Sequence, residues 1–258
     1  MRNGVRRVSS NIQSLVEKKE ILTASIASRN ELLGELLSIP STTKQLLPEL
    51  KIVPLSVNQV LYEQGDKIDC VYFPLDSVTS GLAIMEDGTT IETAMVGREG
   101  LVGISTILGS GLSRQWIWVT ISGNAVQLDS RILDKLFVQN EAALKALLNC
   151  YRSLITQVSQ RCVCNTRHTI IERLCCWLLM VHDRIGRNNL SLTQEMIASR
   201  VGARRAGITV AAGMLQEMKA IEYRRGQVYI RDRGLLERTV CECYLMMQTH
   251  LKDSGSST

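Results

Sequence analysis

Arg204 and Arg205 stand side by side just after Gly202, at the head of a stretch with helical apolar spacing. Their planar guanidinium forks match phosphate oxygens, or the O6 and N7 acceptors of a guanine edge in a DNA major groove. Two cations at a helix N-terminus oppose the helix dipole, so stability does not account for them and an external anion or base does. Ala206, Thr209 and Val210 follow on the same side. Thr193 and Gln194 open the preceding segment, where a helix would meet a nucleic-acid backbone, and Arg224 and Arg225 sit at the tip of an alternating segment, placed for phosphate contacts that position without reading sequence.

The elements that must hold these residues are legible in Leu190 to Ile221, LSLTQEMIASRVGARRAGITVAAGMLQEMKAI. The stretch reads as two short helices broken at Gly202, a helix-turn-helix. Ser191 and Gln194 have the spacing of a capping box, which starts the first helix at Leu192 or Thr193 and lets it run to Val201-Gly202. Ile197 and Val201 face inward from it. The second helix starts near Arg204, with Ile208, Ala211, Leu215 and Met218 as its buried side. Ile221 to Asp232, IEYRRGQVYIRD, alternates about Arg225-Gly226-Gln227 and reads as a β-hairpin wing. From Arg184 to Arg233 ten Lys or Arg stand against four Asp or Glu, an excess that suggests a phosphate-facing surface, with an ordinary solvated basic face as the alternative.

Upstream, Leu144, Leu148, Tyr151, Ile155, Val158, Cys162 and Asn165 step by alternating fours and threes. That is a narrow a/d seam, expected to pair with its twin about a two-fold axis; the alternative is packing on the chain's own β-rich part. The helical pattern continues from His168 to Arg184, with Ile171, Leu174, Cys175, Leu178 and Leu179 inward, before a loop at Gly186 and Asn188-Asn189. From Ile52 to Leu128 the pattern is short β runs separated by turn signals, with Asp87-Gly88 as a hairpin, which predicts a β-barrel or jelly roll. Within it VGREGLVGISTILGSG, from Val96, is Gly-dense but is neither a dinucleotide fingerprint nor a P-loop; a tight turn into a short helix fits it as well as a phosphate cradle does.

The chain has 258 residues, 45% of them hydrophobic and 21% charged, with a net charge of +5. This is a globular composition with room for two domains. No apolar run reaches the roughly 18 residues that cross a bilayer, and no secretion signal follows the N-terminal arginines, so a cytoplasmic address and no membrane partner are expected. The eight Cys are then expected to be reduced thiols. Cys162-Val163-Cys164, Cys175-Cys176 and Cys241-Glu242-Cys243 lack zinc-finger spacing and read as small buried hydrophobes, except that Cys162 on the seam would lie near its twin and make a dimer redox-sensitive. His168, His182 and His250 are scattered, no catalytic grouping stands out, and no metal or cofactor is expected: the chain reads as a binding protein rather than an enzyme.

The order of barrel, long helix, helix-turn-helix and wing resembles the Crp/Fnr family of bacterial transcription regulators. The resemblance covers about Leu46 to Asp232 and rests on VLYEQGD at Val60, VYFPLDSVTSGL at Val71, the glycines of VGREGLVG, and TQEMIASRVGARRAGI with MLQEMKAI. It implies an α+β fold: an N-terminal cyclic-nucleotide-binding-like jelly roll, a long dimerisation helix and a C-terminal winged helix-turn-helix. It assigns residues 1–28 to an extension, 29–140 to the sensor domain, 141–167 to the dimerisation helix, 168–234 to the DNA-binding domain and 235–258 to a C-terminal helix and tail. Implied partners are a second copy, a near-palindromic double-stranded promoter site, and RNA polymerase at that promoter.

The chain departs from patterns of the family in three places. The ligand cassette of cyclic-AMP-binding members maps to Gly97, Gly100, Gly103 and Arg114, but Gly103 is followed by Ile104 where they carry a ribose-binding glutamate, and Arg114 by Gln115-Trp116 where they carry Ser or Thr. A response to cAMP is therefore not expected. Residues 1–69 lack Cys, which sets aside the N-terminal iron–sulfur centre of oxygen-sensing members. In the second helix Arg205 matches the family's arginine, while Ala206 and Val210 replace its usual glutamate and second arginine, so the DNA half-site should differ. The competing reading is a sensory or interaction module with an unidentified ligand, whose C-terminal domain contacts protein.

Overall fold

The structure, a computed structural model, describes residues 25–253 apart from 108 and 110, with side chains described through 248. Residues 1–24 of the N-terminal extension and the tail from 254 lie outside the described residues. Two helices lead into the β-domain, α1 (Glu31–Ser38) and α2 (Pro40–Leu46). Asn30 caps α1 by accepting from the Leu33 amide at 2.9 Å. The same buried side chain donates to the carbonyls of Pro74 and Gly100, so α1 is tied to the β-domain by a fully satisfied amide.

The β-domain is a jelly roll of two antiparallel sheets. One has the order β1 (Lys51–Leu55), β7 (Gly123–Asp129), β3 (Cys70–Pro74); the other β2 (Val60–Tyr62), β6 (Trp116–Ile121), β4 (Val78–Ile84), β5 (Thr90–Val96). Asp87-Gly88 closes the β4–β5 hairpin, with Gly88 at φ 81°. The alternating runs at Val60, Val71, Leu82, Ile91, Trp116 and Ala125 all lie in strands; β1, with Pro54 and an exposed outer face, shows no such alternation. Val71, Phe73, Val126 and Leu128 lie on one face of the β1–β7–β3 sheet and share a core with α1, α2 and α3 (Ser130–Gln139), while Leu55 and Ala125 on its other face meet Val119 of the second sheet.

Asn140 caps the long helix α4 (Glu141–Arg167), accepting from the Ala143 amide at 3.0 Å. Its Ala143, Ala146, Leu147, Gln157, Arg161 and Cys164 are buried against the rest of the chain. The opposite stripe is open: Leu148 and Ile155 are each close to half exposed, Leu144 and Cys162 are exposed, and Tyr151 and Val158 are half-buried. One face of the helix packs on the chain's own domains, as the second alternative expects, and the other face is open.

A capping box of Thr169 and Glu172 then starts α5 (Ile170–Ile185), which ends at Gly186 in the left-handed conformation. It carries the largest apolar face of the C-terminal part, and its core includes Val78, Met95 and Ile121 from the barrel. The C-terminal unit is thus docked on the β4–β5–β6 sheet. Gln157 ties α4 to the same sheet, accepting from the Met95 amide at 2.9 Å and donating to its carbonyl at 3.1 Å. The remaining elements are β8 (Asn189–Ser191), α6 (Gln194–Val201), α7 (Arg205–Glu217), β9 (Ile221–Arg224), β10 (Gln227–Ile230), α8 (Arg233–Thr239) and α9 (Cys243–Asp253).

Candidate nucleic-acid interface

Helix α6 is capped by Thr193, whose hydroxyl accepts from the Met196 amide at 3.1 Å. Ser191 does not cap it, contrary to the sequence expectation. It belongs to β8, which pairs with β10 and turns the predicted two-stranded wing into a three-stranded sheet of order β8-β10-β9. With three residues and one buried side chain, Leu190, β8 has no alternation to read.

Gly202 makes the turn at φ 69°, a conformation that would strain any side chain. Arg173 of α5 clamps this turn by donating to the carbonyls of Val201 and Gly202. Arg204 is then the N-cap of α7 and Arg205 its first residue. Ile208, Ala211, Ala212 and Leu215 are buried, and Gly207 lets the helix approach α5 so closely that a Cβ there would lie 2.6 Å from Ile170 Cδ1. Met218 is not on the buried side: it caps the helix C-terminus and is 41% exposed, because the apolar face ends with Leu215. On the outside Arg204, Arg205, Ala206, Thr209 and Val210 are all exposed.

The structure brings most of the predicted contact residues together. The Thr209 hydroxyl lies 3.0 Å from Gln194 Oε1 and 3.1 Å from the Arg205 carbonyl, joining the start of α6 to the first turns of α7. In the wing, Arg225 and Gly226 both have positive φ, as a two-residue hairpin turn matched to strand twist requires. The Gly226 carbonyl accepts from the Leu192 amide at 2.9 Å, which sets the wing tip beside Thr193. Tyr223, its hydroxyl pushed up in pKa by burial, donates to the Leu192 carbonyl and fixes the wing to α6. Arg224 is more constrained than expected, paired with Glu222 at 2.6 Å. Hydrogen bonding from Arg231 holds Glu222 below the ordinary carboxylate range.

The local excess of basic residues is only partly a surface property. Arg184 is buried and pairs with Glu99, its Nε donating at 2.8 Å. Arg200 of α6 is buried against Glu92 of β5. Glu92 is the hub joining barrel, α4, α5 and α6. Its Oε1 accepts from Trp177 Nε1 at 3.0 Å and faces Arg161 Nη1 at 3.2 Å, while its Oε2 accepts from Ser80 and faces Arg200 Nε at 3.8 Å. Arg161 also donates to the Arg200 carbonyl at 2.6 Å, and Arg200 to Thr120 at 3.2 Å. Sequence reasoning missed this cluster. The only signal was a glutamate inside a β run, and there the usual rule is inverted: Glu92 is buried while its neighbour Ile91 is exposed.

The residues mapped to a ligand cassette are not gathered in one cavity. Gly97 is covered by the Arg184 side chain, and Gly103 is left-handed against Ile68 and Val71. Arg114 is exposed. Gln115, in the place of the family's Ser or Thr, turns over Gly81 and accepts from Thr93 at 2.6 Å. Gly100 does line a cavity of about 600 Å³, which lies outside the barrel between α1, α4, α5 and α9, with Glu31, Leu101, Asn149, Met180 and Met247 in its wall.

Residues 172–239 match the model of the Crp-like helix-turn-helix domain. The C-terminal unit is a Crp-like helix-turn-helix domain. Over about three quarters of its length the chain has the fold of Crp/Fnr transcription regulators. The FixK2 structure from Bradyrhizobium japonicum matches with a TM-score of 0.63 at 16% identity, over 74% of this chain and 98% of that one. A CRP-family transcriptional regulator of Thermus thermophilus matches at 0.60 and 16%, over 72% and 95%. CLP of Xanthomonas campestris, described as a c-di-GMP-responsive global regulator, matches at 0.56 and 14%, over 74% and 99%. At these identities the likeness is one of fold. A search of curated proteins returned no match. Among the described residues no helix is long and apolar enough to cross a membrane.

Proposed function

We propose that this Crp/Fnr-type chain is a homodimeric, sequence-specific DNA-binding regulator of transcription that does not respond to cAMP. The observation that carries the reading is the open face of α7, where Arg204, Arg205, Ala206, Thr209 and Val210 stand exposed beside a wing tip carrying Arg225. Arg205 has the chemistry to read a guanine, and Ala206 and Val210 to meet thymine methyl groups. Arg204 and Arg225 take backbone phosphates, with Arg224, Thr193 and Gln194 at the flanks. The open stripe of α4 supports pairing of two copies, which would set the spacing of two half-sites. Ile104 and Gln115 in the cassette positions support insensitivity to cAMP.

The test starts from DNA recovered by genomic footprinting in the protein's own host. The chain should bind that fragment with steep salt dependence, and binding should be lost in the Arg204→Ala, Arg205→Ala double variant. If the double variant binds as well as the parent, the competing reading, a C-terminal domain that contacts protein, takes its place. Addition of cAMP should leave the affinity unchanged.

A further inference from the structure

Four cysteines and a histidine from three distant parts of the chain converge where α4 ends. The sulfurs of Cys164 (α4), Cys176 (α5) and Cys241 (the turn between α8 and α9) lie within 4.8 Å of one another, and all three residues are buried. Cys164 Sγ and Cys241 Sγ are 3.6 Å apart. A second trio, His168, Cys241 and Cys243, shares Cys241 and has the same closeness. Gln160 donates to Cys243 Sγ at 3.1 Å, and the His168 ring stands between two carboxylates, 4.0 Å from Glu172 and 3.7 Å from Glu242.

We propose that Cys164, Cys176 and Cys241 are three ligands of a tetrahedral site for a thiolate-preferring metal ion, zinc by its spacing, with the fourth ligand drawn from Cys243 or His168. Zinc holds thiolates at about 2.3 Å, which places neighbouring sulfurs of a tetrahedron about 3.8 Å apart, close to the distance between Cys164 and Cys241. An iron–sulfur cluster must seat its inorganic core between the thiolates and needs them further apart. Soft sulfur ligands in tetrahedral array select zinc over magnesium or calcium. Each ligating thiol gives its proton to solvent as the metal binds. Gln160, Glu172 and Glu242 then serve as the outer partners that orient Cys243 and His168. Local spacing hides the site, because no two of its three main ligands are near in sequence. The proposal is independent of the DNA-binding reading. Its structural consequence is that an occupied site fastens the α8–α9 turn to the end of α4 and the middle of α5.

The full chain, purified under reducing conditions and stripped with a chelator, is titrated with Co(II) and then Zn(II). One Co(II) per chain is expected, with thiolate-to-cobalt charge transfer and the intense visible bands of tetrahedral cobalt, both abolished by Zn(II). In the unmodified protein Zn(II) should shield Cys241 from alkylation at least about tenfold while leaving Cys70 as reactive as before; this arm does not depend on any variant folding. Cys241→Ser should weaken zinc about 100-fold or more, and Cys70→Ser should not. Either Cys243→Ser or His168→Ala should weaken it at least about tenfold, naming the fourth ligand. The proposal is overturned by an octahedral cobalt spectrum without charge transfer, by equal alkylation of Cys241 with and without zinc, or by full affinity in both fourth-ligand variants. A Cys164–Cys241 disulfide that forms in air, in a chain that takes up no metal when reduced, overturns it too.

Discussion

Two groups of arginines in the C-terminal half do opposite things. Arg204, Arg205 and Arg225 are exposed on α7 and the wing tip. Arg161, Arg184 and Arg200 are buried and face Glu92 or Glu99. The first group contributes little to folding, since exposed charges gain little and two of them oppose a helix dipole. The second welds the helix-turn-helix domain to the barrel and α4, and gives nothing to a ligand outside. A count of basic residues merges the two groups; burial separates them.

The largest expected effect breaks the buried group. Glu92→Ala leaves Arg161 and Arg200 buried without their carboxylate and should cost about 3–5 kcal/mol of stability in urea or thermal unfolding. Removing Arg204 or Arg205 should move the same curves by less than about 0.5 kcal/mol. If Glu92→Ala unfolds like the parent, the hub is not what joins the domains.

Next is the open stripe of α4. Glutamates in place of Leu148 and Ile155 should raise the dimer dissociation constant by about 100-fold, about 2.7 kcal/mol, in sedimentation equilibrium without unfolding the chain. An unchanged association state would remove the seam from the interface. Arg205→Ala should cost about 1–3 kcal/mol of DNA binding and relax preference at one base pair, read by competition against single-base variants of the footprinted site. Smallest is Thr193→Ala, which removes the α6 cap and should lower stability by about 1 kcal/mol, measured by urea unfolding. No change would mean that solvent satisfies the Met196 amide equally well.

What the sequence made legible is what local spacing encodes. The Gly202 turn, the inward face of Ile208, Ala211 and Leu215, the exposed group Arg204, Arg205, Ala206, Thr209 and Val210, and the hairpin about Arg225-Gly226 follow from period and turn chemistry. What stayed hidden depends on contacts between distant segments. Ser191 has the spacing of a cap but is drawn into β8 by pairing with β10, and Thr193 takes the cap. Glu92 is a polar residue in a strand until α4, α5 and α6 bring Arg161, Trp177 and Arg200 to it. The cysteines read singly as small buried hydrophobes, and only the folded chain sets Cys164, Cys176 and Cys241 together.

The central claim is that the exposed arginines of α7 and the wing face DNA while the buried ones do not. Fluorescence anisotropy of the footprinted fragment across a salt series tests it most directly. Removing Arg204 should weaken binding and reduce the slope of log affinity against log salt by about one. A slope and affinity identical to those of the parent in the Arg204→Ala, Arg205→Ala and Arg225→Ala variants would contradict it.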